Sequence, residues 1–124
     1  MRLGPMLAST IALVAACSTD LGPCPDDPEL EARGWLVLQR SCAGSTCHST
    51  GATGTRRNGA PSGLDWDDPD LVRDDAGEVW AEIEGGSMPP EGWQENVPDA
   101  VLSPEDQEAI RALLACGVRA EALP

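Results

Sequence analysis

Apolar residues recur at helical spacing along three stretches of the chain. In the first, Leu30, Gly34, Val37 and Leu38 fall at i, i+4, i+7 and i+8, with Trp35 beside them, which places them along one face of an α-helix. Asp27 stands before the stretch as an N-cap and Pro28 takes the first helical position, where its missing N–H is not needed. The pattern predicts a helix over 28–41. A second, weaker helix is predicted over 70–84, with Val79, Trp80 and Ile83 inward, and "GGSMPPEGW" then breaks it. The third has the clearest start, with Ser103 as N-cap, Pro104 at the first position and Asp106 at the third, close to a capping box. Ala109, Ile110, Leu113 and Leu114 form its stripe, and Cys116-Gly117 ends it. Strand-like alternation is scarce, so the chain reads as all-α, with three to four helices. Between the first two helices, residues 49–69 are rich in Gly, Ser and Thr. A loop of that length in a compact domain usually wraps something functional.

The start of the chain carries a different pattern. "MRLGPMLASTIALVAAC" has one basic residue, Arg2, a short apolar run from Met6 to Ala16 and small residues before Cys17, the form of an export leader. The run is too short to span a bilayer. "LVAAC", Leu13 to Cys17, resembles the lipobox of bacterial lipoproteins, in which the leader is cut before the cysteine and that cysteine carries the lipid. The resemblance implies a signal peptide over 1–16, a lipidated tether over 17–28 beginning at Cys17, and one domain over 29–124. Removing the leader leaves 108 residues, 124 less 16. An ordinary secretory leader cut nearby is the alternative. Both place the chain outside the cytoplasm. As a lipoprotein it would sit at the periplasmic face of an inner or outer membrane, or at the cell surface, held by its lipid anchor only.

Charge and composition narrow the functions. Eight Arg and no Lys stand against 21 Asp and Glu, a net charge of −13, and losing Arg2 makes it one more negative. Such a chain repels phosphate backbones, which excludes nucleic-acid binding. It fits partners with basic docking surfaces, in salt-sensitive association, although a merely solvated surface accounts for most of the charge. With four Trp and no Phe or Tyr, bulky side chains are too few to fill a core of this size. Something else should fill it.

The chemistry concentrates in "RSCAGSTCHST", where Cys42 and Cys47 are four residues apart and His48, the single histidine, follows directly. Zinc fits poorly, because adjacent Cys47 and His48 side chains diverge and no second histidine or paired-cysteine knuckle exists. A catalytic thiol would draw its base from a distant part of the chain, and an exported cysteine pair would oxidise. A plain Cys42–Cys47 disulfide beside a loop histidine is a third reading. The fourth is covalent haem.

C-x-x-C-H is the attachment motif of c-type cytochromes: two thiols add to the haem vinyl groups and the adjacent histidine ligates iron. "CAGSTCH" resembles it with four intervening residues, a spacing known among c-type cytochromes, in which Ala43 to Thr46 must bulge. The resemblance to small class I cytochromes c extends over most of the mature chain. Gly34 matches the glycine two turns before the first cysteine, where the C-terminal helix crosses, and Leu38 matches the large apolar position one turn later. Met88 in "GGSMPPEG" matches the methionine before proline that supplies the sixth ligand, and the helix from Ser103 to Cys116 matches the closing helix. Pro61 in "APSGL" resembles the proline whose carbonyl receives the histidine Nδ1 proton, fixing the tautomer. Trp66 and Trp80 could pack on the haem and donate indole N–H groups to a propionate, or be plain core. Arg56 and Arg57 could pair with propionates, or be solvated loop charges.

What the resemblance implies is an all-α, cytochrome c-like domain of three to four helices with long loops around one covalent haem c, ligated by His48 and Met88. It would act as a one-electron carrier for redox partner proteins. A closed sixth position leaves no room for substrate, so an enzyme is not expected. The competing reading is a haem-free lipoprotein with two disulfides, serving as a binding or structural module. Five cysteines complete the assignment. With Cys17 lipidated and Cys42 and Cys47 on haem, Cys24 and Cys116 remain. In a fold where the first and last helices cross, both could lie at one edge, which predicts a Cys24–Cys116 disulfide.

Overall fold

The computed structural model describes residues 20–44 and 46–124, and all elements named below lie within them. The leader over 1–16 and the lipidation at Cys17 fall outside the described residues. Helix α1 spans Pro28–Leu38, begun as the sequence predicts: the Asp27 carboxylate accepts from the backbone N–H groups of Glu29 and Leu30, each at 3.1 Å. Helices α2 (Pro69–Asp74) and α3 (Ala76–Glu84) follow the long loop, then α4 (Glu91–Asn96) and α5 (Pro104–Ala115). The described residues form helices and no strands. None of the helices is long and apolar enough to cross a membrane.

Two boundaries differ from the periodicity. The first helix continues past Leu38, but as a π-helical turn over Gln39–Ala43. The wider turn carries Ser41, Cys42 and Ala43 into buried positions. The second stretch is two helices broken at Asp75, and α4 occupies part of the segment expected only to interrupt. Gly92 and the shortness of "EGWQEN" hid α4, since six residues carry too little pattern to register.

The core is a crossing of α1 and α5. Gly34, Trp35, Val37 and Leu38 are buried on α1, with Leu30 only half-buried. Ala109, Ile110, Leu113 and Leu114 are buried on α5. Gly34 sits at the contact: a Cβ there would lie 2.7 Å from the Ala109 carbonyl carbon and 3.0 Å from the Leu113 Cβ. Trp80, with Val79 and Ile83, packs into the same cluster from α3.

Three sets of contacts lock the crossing. Cys24 and Cys116 form the expected disulfide, with Cα atoms 4.8 Å apart. Arg119 reaches the buried carboxylate of Glu31 on α1 and also Asp26, tying the C-terminal turn Ala120–Ala122 to the start of the first helix. Asp106 completes a capping box with Ser103 and accepts from Arg33 and Arg40 at 3.1 and 3.0 Å.

Asp106 therefore makes stability depend on acid. Burial alone would raise its carboxyl, but hydrogen bonds from Arg40, Arg33 and the Ser103 backbone outweigh it and hold the group below the usual carboxylate range. A carboxyl depressed in the folded state stabilises fully above its unfolded value of about 3.9 and loses that contribution as pH falls through the folded value. Urea unfolding at pH 6 and pH 3 checks this. Asp106→Asn is expected to cost about 1 kcal/mol at pH 6 and less at pH 3. An equal cost at both would show that the carboxylate charge is not what matters.

Candidate functional site

The π-helical turn at the end of α1 delivers Cys42, and the chain then doubles back on it. His48 N–H donates to the Cys42 carbonyl at 3.1 Å, and Cys47 N–H donates to the Arg56 carbonyl at 3.1 Å. Cys47 takes a left-handed backbone, φ 54°, a conformation that costs an L-residue about 1–2 kcal/mol. Such strain persists where the surroundings hold it, and these two backbone bonds do. Cys42 and Cys47 are both free thiols, so the plain Cys42–Cys47 disulfide is not formed. Burial, and then the neighbouring Cys47, push the Cys42 thiol up to about 12. At neutral pH it is a protonated thiol, not a ready thiolate nucleophile or zinc ligand.

His48 is buried and held from two sides. Its Nδ1 lies 2.9 Å from the Leu64 carbonyl oxygen. That oxygen only accepts, so Nδ1 carries the proton and Nε2 keeps the lone pair. Burial pushes the imidazole below its ordinary range, with the nearby Arg57 charge acting the same way and the Leu64 bond opposing. The ring is therefore neutral at pH 7 and able to act as a ligand. On its face stacks the Trp66 indole, ring centroids 3.8 Å apart and planes 14° from parallel.

The loop that carries these groups is closed by one side chain. Arg57 donates to the carbonyls of Ser49 (3.1 Å), Ala52 (3.3 Å), Ala60 (3.0 Å) and Pro61 (2.6 Å), and pairs with Asp65 at 2.8 Å. It is a half-buried loop organiser and not a solvated charge. Ser49 and Thr50 bind the Asp67 carboxylate, which fixes the chain just after His48 to the chain just after Trp66.

These segments enclose a cavity of about 350 Å³. Cys42, Cys47, His48 and Trp66 line it, together with Arg57 to Pro61 from the loop. A second segment, after α3, adds Met88, Pro89, Pro90, Gly92 and Trp93. Met88 is placed by a turn in which the N–H groups of Ser87 and Met88 both donate to the Glu82 carbonyl, at 3.0 and 3.1 Å. The four residues singled out for chemistry, Cys42, Cys47, His48 and Met88, thus meet in one apolar cavity. It has the volume typical of small-molecule and cofactor pockets.

Three sequence expectations need correction. The carbonyl that receives His48 Nδ1 belongs to Leu64; that of Pro61 is taken by Arg57, although Pro61 does line the cavity. Trp80 is a core residue and does not line the cavity. Trp66 does line it, but its indole N–H donates to Asp75 at 3.4 Å and is not available for a ligand carboxylate. One lining residue was missed. Trp93 follows Met88 by five positions on the short α4, and a helix there would have placed it.

Among the described residues, the only trio of candidate metal-binding side chains that gathers is Cys24, Glu31 and Cys116, and two of these are joined as the disulfide. Zinc at the Cys47-His48 pair has no support there. No family model, curated protein or solved structure matches the chain.

Proposed function

We propose that the protein is a one-electron carrier of the cytochrome c type, with one haem c held covalently in this cavity. The observation that carries the reading is the donor set. Two free thiols, a neutral imidazole with its tautomer fixed and a methionine thioether line a single apolar cavity. They are the only histidine of the chain and the only methionine beyond the leader. Cys42 and Cys47 would hold the group through thioethers, and His48 and Met88 would supply ligands to its iron. When bound, such a group takes up and releases a single electron at iron.

The chain's own residues set the terms of that chemistry. The Leu64 carbonyl holds the His48 proton on Nδ1 and strengthens the ring as a ligand. Met88, a soft neutral donor, and the apolar Pro89 and Trp93 beside it favour the less charged, reduced state and so a higher potential. With His48 and Met88 both given to that group, the cavity would offer it no place for a substrate, which argues for transfer over catalysis. The acidic surface suits basic redox partners. Cys17 would carry lipid, keeping the domain at a membrane outside the cytoplasm.

Expression with haem-maturation machinery tests the reading. Alkaline pyridine should give the spectrum of a c-type haem that stays with the denatured protein, and protein without that absorbance would overturn it. Met88→Ala should keep the covalent haem but lose the weak long-wavelength charge-transfer band of ferric methionine coordination. An unchanged band would assign the sixth ligand elsewhere. For the anchor, Cys17→Ser should move the protein from the membrane fraction to the soluble one or leave it unprocessed, since stable anchoring takes more than one lipid chain. Continued processing and membrane retention would remove the lipobox reading.

A further inference from the structure

Trp66 is built into the site more firmly than a packing residue requires. Its N–H donates to the His48 carbonyl at 2.7 Å, and the Gln39 side-chain amide donates to its own carbonyl at 2.8 Å. The indole is 2% exposed. One face covers the His48 ring, and its Nε1–H ends on the Asp75 carboxylate at 3.4 Å. The Asp75 side chain makes no helix cap, although the residue sits at the start of α3, so its carboxylate is left to the indole.

An aromatic face is the negative side of a quadrupole, and it attracts positive charge placed against it. A carboxylate accepting the indole N–H draws that dipole outward and leaves the ring face richer in electrons. Any positive charge that reaches the imidazole is therefore stabilised by Trp66, and indirectly by Asp75. Resting on the proposed function, we infer that Trp66 and Asp75 are positioning residues that tune His48: the pair favours the oxidised, more positively charged iron and sets the midpoint potential below what His48 and Met88 alone would give. It acts against the thioether and the apolar lining, and the measured potential is the balance of the two.

Removing the pair should raise the potential. In Trp66→Leu the reduced-to-oxidised ratio at a fixed applied potential is expected to rise about five- to tenfold, tenfold being 59 mV for one electron. Trp66→Phe keeps a stacked ring but has no N–H, and Asp75→Asn keeps the indole but removes the charge. Both should shift the same way by a smaller factor, about threefold. These two conservative variants carry the test if Trp66→Leu fails to fold.

A readout without haem accompanies the titrations. In the haem-free protein, the carbon-bound protons of the His48 ring should show an upfield ring-current shift that survives in Asp75→Asn and shrinks in Trp66→Phe. Equal potentials in haem-loaded wild type, Trp66→Phe and Asp75→Asn would overturn the tuning role and leave the carrier reading standing. A fall in potential would overturn it as well. Failure of the wild-type protein to hold covalent haem would overturn both, and the haemochrome spectrum distinguishes that outcome.

Discussion

Replacing Cys24 and Cys116 together by serine is expected to destabilise the domain by about 4 kcal/mol. The two cysteines are 92 residues apart, and opening a loop of that size returns several kcal/mol of conformational entropy to the unfolded chain. The loss is large against a total stability of about 5–15 kcal/mol for a natural domain. The bond joins the segment before α1 to the end of α5, so it guards the crossing on which the core depends. Denaturant unfolding of wild type and the double variant measures it. Wild type in a dithiol reductant should match the variant, and an unchanged midpoint would mean that Glu31 and Arg119 hold the two ends together unaided.

Gly34→Val is expected to cost more than about 3 kcal/mol, at the upper end of what overpacking does. The new Cβ would meet the α5 backbone at Ala109. A backbone carbonyl cannot rotate aside as a side chain would, so the helices must separate. Gly34→Ala supplies the comparison. Alanine gains about 1 kcal/mol of helix propensity over glycine, and on an exposed helical face it would stabilise. Here overlap outweighs that gain and the variant should still be less stable than wild type. Thermal unfolding of the two variants decides it, and a stabilised Gly34→Ala would show that the crossing yields.

What the sequence made legible were features that signal locally or by parity. Asp27-Pro28 and Ser103-x-x-Asp106 announce helix starts by side-chain chemistry that acts within four residues. Gly34 stood out because it matched the glycine that small class I cytochromes c place where the C-terminal helix crosses the first. Five cysteines, with three assigned, left a single pair. The features that escaped are set by contacts between distant segments. Nothing in "QRSCA" marks a π-helical turn. The choice of Leu64 over Pro61 follows from Arg57 gathering the loop carbonyls, which no spacing rule foresees. Trp66 and Trp80 look alike in sequence, yet one lies against His48 and the other in the α3 core, because the loop and the helix carry them to different places. The cavity itself was legible only as an expectation, from a motif, an isolated methionine and too few bulky residues to fill the interior.

The length of α1 separates two ends of the molecule. Its eleven residues rise about 16 Å at 1.5 Å per residue. Cys24, pinned to the end of α5, lies at the start of that helix, and Cys42 lies beyond its far end. Anything that holds the chain by its N-terminal side therefore pulls on the pole away from the cavity. A pull from that side would meet first Arg111 on α5, which donates to the carbonyls of Leu21 and Pro23, and then the Cys24–Cys116 bond, before it reached α1 and the cavity beyond it.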